Sequence, residues 1–257
     1  MSYQLTKIEL PRDAWHSLAI EDQYSIALLG HIFNETMVLQ RFAHGCHPKV
    51  EMASAEKSGA VCQTTFMTRL LLSKIYEAKE RIFHSKEIRS FLTSKCFTKM
   101  ESGYGERLQK DLSSAIADCK WLKDARNTHG MHYPPLSEWH DTLESINRTK
   151  DPFTFFLGVA MGDVFFETAD QIAEMAYYMQ SGNGDWKRGI EIMYKDAINI
   201  TDKLHIFITE CIGAFISSYK ESSTPPTLKA KMKLSQKFST QKIEDLKIPY
   251  FFDYSSK

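Results

Sequence analysis

The chain has 257 residues, 43% of them hydrophobic and 25% charged, a composition ordinary for a folded globular protein with a full core. Lysine plus arginine and aspartate plus glutamate both number 32, which excludes a global basic field for nucleic acid and leaves only a local patch for such binding. The five cysteines are scattered, with no Cys-x-x-Cys, and read as reduced core residues of an intracellular protein. The N-terminus has no apolar leader and no run of about 18 apolar residues occurs, so a cytoplasmic protein without membrane association is expected.

In chain order, residues 1 to 20 form a lead-in, with Pro11-Arg12-Asp13 as a helix start. A helix from about Asp22 to Ala43 follows, and its stripe reads Tyr24, Leu28, His31, Glu35, Leu39, Phe42. Two ionisable side chains one turn apart on that face predict a polar pocket inside the bundle. Residues 44 to 60 have turn composition and predict a long loop. Its His44-Gly45-Cys46-His47 cluster is too short to hold a metal without distant ligands, and neither a metal nor any other cofactor is expected.

A long helix over about Val61 to Thr98 comes next, with Met67, Leu71, Ile75, Ala78 and Ile82 on one face and Lys74, Lys79, Arg81 and Lys86 in solvent. Ser102-Gly103-Tyr104-Gly105 ends it. The following helix, about Glu106 to His129, carries an apolar stripe through Leu108, Leu112, Ala115, Ile116, Cys119 and Leu122 that lands on Arg126. It stops at Gly130, and Pro134-Pro135 bars a return to helix.

Asp151-Pro152 predicts another helix start, leading through Phe155, Val159, Gly162 and Phe166 to Ala176. Asp163 and Glu167 either partner a buried cation or sit at the solvent edge. After the turn Ser181 to Asp185, a helix from about Trp186 to Lys220 carries the cleanest stripe, from Ile190 to Phe215.

From Ser222 the chain becomes lysine-rich, with Lys229, Lys231, Lys233, Lys237, Lys242 and Lys247, before Tyr250-Phe251-Phe252. The expected organisation is a bundle domain over 1–221 and a flexible tail over 222–257. The aromatic patch could dock onto the domain, bind a second subunit or protein partner, or remain in solvent. With no strand pattern, the fold class is all-α, a bundle of about five substantial helices.

No phosphate-binding glycine loop, dinucleotide fingerprint, zinc-protease motif or nucleophile elbow is present, nor the paired Glu-x-x-His motifs of a two-metal bundle. What remains is Arg126-Asn127, then His129, His132 and Tyr133. Arginine stays charged, so in line with a buried stripe it needs a carboxylate, a phosphate or water. Histidine titrates near neutrality without special tuning. Metal-free RNA cleavage needs such a proton carrier and a fixed cation for the charge that develops on phosphorus.

The run Arg126-Asn127-x-x-x-x-His132 at a helix end resembles the motif of the HEPN superfamily of small all-α proteins, and Tyr133 is similar to some members. The resemblance covers these few residues and their helical context. It implies a metal-independent endoribonuclease of toxin or defence-effector type, acting on RNA as a homodimer, or a non-catalytic relative of the same fold. In the catalytic reading Arg126, Asn127 and His132 act on RNA, with Glu35, His31, His129 and Tyr133 supporting and Glu35 positioning Arg126. In the alternative, an Arg126–Glu35 pair only fixes helix packing in an interaction module. Exposure separates the two, because a catalytic trio opens onto a groove, shared across a dimer in resembling proteins, and a structural pair is sealed.

Overall fold

The computed structural model describes residues 4–130, 132–158, 163–222, 229–233 and 242–252. Val159, Gly162 and Lys237, which the sequence reading singled out, lie outside them. The protein is all-α, with helices α1 (Arg12–His16), α2 (Ile20–Cys46), α3 (Ser54–His84), α4 (Lys86–Phe91), α5 (Tyr104–Asp118), α6 (Leu122–Ala125), α7 (Leu136–Asn147), α8 (Glu167–Gly182) and α9 (Trp186–Ser222). The one strand pair among the described residues is an antiparallel ribbon of β1 (Gln4–Ile8) and β2 (Lys229–Lys233), with Gln4 opposite Lys233. It ties the lead-in to the lysine-rich stretch, a pairing absent from the sequence expectation. Among the described residues, no helix is long and apolar enough to cross a membrane.

The chain forms two compact units. One takes the described residues within Met1–Asn34, Ala78–Ser114 and Asp202–Lys242; the other takes those within Glu35–Glu77, Ala115–Thr201 and Ile243–Lys257. The first unit is built on aromatic packing between the region after α3 and the second half of α9. Phe91 lies 5.5 Å from Phe215 and Phe97 lies 6.5 Å from Phe207, centroid to centroid. Cys96 and Cys211 are free thiols buried in the same core.

The second unit carries the features discussed below. Its helices α8 and α9 approach closely at glycines: a Cβ on Gly189 would sit 1.9 Å from the carbonyl oxygen of Tyr178. That crossing is open only to glycine, and it brings Tyr178 and Tyr194 into reach of each other. Asn183, at φ 54°, closes α8 in the left-handed conformation, and the Gly184 amide donates back to the Met179 carbonyl at 3.0 Å.

Several expected elements differ. The buried face of α2 runs through Ser25, Leu29, Ile32 and Thr36, while Tyr24, His31 and Phe42 are exposed. The expected face is therefore rotated by about one residue, or roughly 100°. Ser25 is accommodated because its hydroxyl donates to the Glu21 carbonyl at 2.7 Å, and His31, expected in a polar pocket inside the bundle, is exposed. The long loop shrinks to residues 47–53, because the Glu56 carboxylate accepts from the Ala53 amide at 2.9 Å and starts α3 early.

At its far end α3 stops at His84. Ser85 caps a new helix by accepting from the Ile88 amide, and a π-turn at Leu92–Cys96 and a 3-10 turn at Phe97–Lys99 follow. Asp151-Pro152 opens no helix. The chain from there is extended, Phe156 bridges Phe165 in antiparallel fashion, and the Thr154 amide donates to the Thr168 hydroxyl at 2.8 Å. The hydroxyl that receives Thr154 belongs to the first turn of α8, so helix formation is delayed to Glu167.

The described end of the tail from Ile243, residues 243–252, packs within the second unit. Tyr250 lies 4.7 Å from Phe165 between ring centroids, the Ile248 amide donates to the Gly45 carbonyl at 2.9 Å, and Lys247 pairs with Glu51 at 3.6 Å. A Cβ on Gly59 would lie 2.6 Å from the Tyr250 ring. Gly59→Ala therefore has to push this segment off α3, at a cost of about 1–3 kcal/mol. The expected result is a melting temperature lower by about 2–4 °C per kcal/mol and faster proteolysis within 242–252.

Candidate functional site

The apolar stripe of α5 is buried as expected through Leu112, Ala115, Ile116 and Cys119. α5 ends at Asp118. The Trp121 indole then donates to the Asp196 carboxylate at 2.9 Å, and α6 restarts the helix with Leu122 and Ala125 buried. From Arg126 to Gly130 the helix widens into one π-turn. Such a turn lengthens the hydrogen-bond spacing to five residues and re-aims the side chains it carries. The inner line continues through Ala125 and His129, both buried, so Arg126 is displaced from the core position that its spacing suggested.

Arg126 has a side chain 30% exposed, with its Nη1 donating to the Asn127 Oδ1 at 2.9 Å and its Nη2 bound to the Glu77 carboxylate. Glu77 is itself 51% exposed. The expected Arg126–Glu35 pair is not made. Glu35 accepts from Lys74 at 3.2 Å with both oxygens, because the rotation of α2 carries it onto the edge facing Lys74. His31 is exposed on α2, and Asn127, His132 and Tyr133 are exposed. The guanidinium is thus held at Nη1 and Nη2, while its Nε is buried with no hydrogen-bond partner among the described residues. The structure joins Arg126 to Asn127 and Glu77, and Glu35 to Lys74.

His129 is an interior residue. Its ring meets Tyr177 edge-on at 6.1 Å, and its Nε2 is buried with no hydrogen-bond partner among the described residues. Burial, then the nearby Arg69 charge, pushes its pKa down to about 4, so it is neutral at pH 7. An imidazole held this way packs the core and carries no charge to a surface site.

A second constellation lies in the seam between α3 and α8. Ser58, Cys62, Thr65 and Arg69 follow one another at four-three-four spacing and share a helix face. Opposite them, α8 presents Glu167, Asp170, Glu174 and Tyr178. The Ser58 hydroxyl donates to Glu167, the Cys62 thiol donates to Asp170 at 3.2 Å, and the Thr65 hydroxyl bonds the Tyr178 hydroxyl at 2.6 Å. Arg69 lays its guanidinium over Tyr177 at 5.9 Å and Phe66 at 5.7 Å.

Burial and the neighbouring Asp170 push the Glu174 carboxyl up to about 7, against the opposing pull of Arg69 and a Thr65 hydrogen bond. Burial, reinforced by Asp170, also raises the Cys62 thiol, which is therefore no nucleophile. Glu174 borders a cavity of about 940 Å³ together with Thr64, Tyr178 and Tyr194. A carboxyl that titrates near neutrality beside a cavity of this size has the properties of a proton-transfer or ligand-binding group.

The sequence reading passed over Arg69, Asp170 and Glu174. The available signal was two acids four residues apart between Ile172, Ala173 and Ala176 on α8, and one arginine on the α3 face of Cys62 and Thr65. Among the described residues, no group of three or more His, Cys, Asp or Glu side chains is arranged to hold a metal ion. In comparisons with known proteins, no family model, curated protein or solved structure matches the chain.

The Glu174 carboxyl binds its proton more tightly folded than unfolded, so its contribution to stability is full below the unfolded pKa of about 4.3 and is lost as pH rises through about 7. Glu174→Gln keeps the shape and removes the titration. It should raise the melting temperature relative to wild type at pH 8 by a few degrees, about 2–4 °C per kcal/mol, and leave it nearly unchanged at pH 4. His129 works the other way: its pKa is depressed to about 4, so the stability it contributes above about 6.5 is lost as pH falls toward 4. Thermal melts of His129→Phe from pH 7 to 4 should lose less stability than wild type.

Proposed function

We propose that this chain is a HEPN-like, metal-independent endoribonuclease of toxin or defence-effector type whose acting residues are Arg126, Asn127 and His132. The observation that supports the reading is the open presentation of Arg126 on a surface π-turn, bonded to Asn127 and latched by a carboxylate that is itself in solvent. A sealed ion pair would speak for packing alone.

In this reading Arg126 receives the scissile phosphate by turning donors from Glu77 to the phosphate oxygens, and Asn127 holds a further oxygen. His132 takes the proton of the ribose 2′-hydroxyl. The 2′-oxygen then forms its bond to phosphorus as the P–O5′ bond breaks, leaving a 2′,3′-cyclic phosphate and a 5′-oxygen that takes a proton from water to become the 5′-hydroxyl, while His132 returns its proton to solvent. Charge accumulates on the non-bridging oxygens during this step, where the guanidinium is most effective. A homodimer belongs to the same reading. Tyr133 is fully exposed and Leu136 is 72% exposed beside the motif, an apolar pair that a second copy would cover.

The second reading is a non-catalytic interaction module. It is favoured by the satisfaction of Arg126 by Glu77 and Asn127 without any ligand. The two part in a cleavage assay with labelled single-stranded RNA in excess chelator. The nuclease reading expects cleavage by wild type, cyclic-phosphate ends, a rate at least about 100-fold lower for His132→Ala, and a comparable loss for Arg126→Lys. Equal rates for wild type and His132→Ala, or cleavage by neither together with equal growth of cells expressing the two forms, would support the module.

A further inference from the structure

The cavity of about 940 Å³ in the second unit is at the upper end of the roughly 300–1,000 Å³ typical of small-molecule sites. Its walls include Val61, Ile190 and the rings of Trp186, Tyr178 and Tyr194, with Glu174 among them. At the rim the exposed charges of Asp151 and Lys187 offset each other. We propose that this cavity binds a small organic cation with an apolar body, an arylalkylamine or its equivalent, whose ammonium meets the Glu174 carboxylate. The proposal is independent of the nuclease reading.

Three observations carry it. Glu174 is half-buried, and among the described residues no salt bridge reaches it; its polar partner is the Thr65 hydroxyl. Arg69 acts on it only through space, from a position over the Tyr177 and Phe66 rings, and Asp170 one turn earlier on α8 adds a second negative charge. The Glu174 carboxyl therefore borders the cavity with no fixed counter-ion bound to it, and an incoming cation supplies one.

Second, Thr64, which lines the same cavity, is 3% exposed and keeps a buried hydroxyl with no hydrogen-bond partner among the described residues. An orphan of that kind is costly, and a donor brought to it by a bound ligand removes the cost. Third, the tyrosine and tryptophan rings offer the negative faces that favour ammonium groups and the apolar area that an alkyl or aryl body needs. An anionic ligand would meet the Glu174 carboxylate, and a neutral one would leave that charge without a partner.

The test is isothermal titration calorimetry of the full chain at pH 8 with three probes of equal shape: 4-phenylbutylamine, 4-phenylbutanol and 4-phenylbutyrate. The expected order is amine tightest, by at least about tenfold over the alcohol, with the acid weakest. Glu174→Gln should bring the amine down to the alcohol's affinity and leave the alcohol unchanged. Equal affinity of amine and alcohol for wild type, a preference for the amine that survives in Glu174→Gln, or no binding of the amine would overturn the proposal. Should Glu174→Gln lose the alcohol too, an NMR titration of the wild-type Glu174 side-chain carboxyl decides, since it needs no variant. The amine should lower the carboxyl's midpoint and the alcohol should leave it unmoved, and a midpoint indifferent to the amine contradicts the site.

Discussion

The guanidinium of Arg69 is the charge around which the second unit is arranged. It lies against Tyr177 and Phe66. Its field acts on Glu174, Cys62, Tyr177 and His129, favouring the ionised forms of the first three and opposing a proton on the last. An arginine performs this role because it cannot be neutralised and because its flat, weakly hydrated face tolerates stacking on rings. Burial works against every ionised group in the seam. The result is a balance in which Asp170 and Glu174 can sit one turn apart inside α8, with Glu174 held near its midpoint at neutral pH.

That balance separates two kinds of polar chemistry in the same unit. At the surface, the π-turn of Arg126–Gly130 moves the motif arginine outward and turns His129 inward, so one local change of helix pitch decides which basic side chain meets solvent. Inside, the α3–α8 seam and the glycine crossing of α8 and α9 leave a cavity bordered by hydroxyls, aromatic rings and the carboxyls of Glu174 and Asp151. The two proposed ligands, a phosphate at the surface motif and a cation in the cavity, are opposite in charge because Arg126 serves the one and Glu174 the other.

How much of this was legible in the sequence depends on how each element stores its information. The stripe of α9 could be read directly, since Met193, Ile200, Leu204, Phe207 and Phe215 are all apolar and all buried. The face of α2 could not, because Ser25 and Thr36 fill core positions as small polar groups, and Ser25 bonds its own backbone, while Tyr24 and Phe42 offer a more hydrophobic line that stays outside. Asp151-Pro152 carries every local mark of a helix start, yet the Phe156–Phe165 bridge prevails over it. Arg126 was legible as unusual, but its partner was not: whether Glu35 or Glu77 reaches it depends on the rotation of α2, a tertiary quantity. The cavity was invisible because its lining comes from segments far apart in the chain, with no motif among them.

The central claim is that burial sets the protonation of Glu174 and His129 and that Arg69 lowers both from there, and the most direct measurement is an NMR titration of the Glu174 side-chain carboxyl and the His129 ring in wild type and in Arg69→Met. The account predicts wild-type midpoints near 7 and 4 and an upward movement of both in the variant, since loss of the cation makes each proton easier to hold. A Glu174 midpoint at the ordinary carboxyl value, or midpoints indifferent to Arg69, would contradict it.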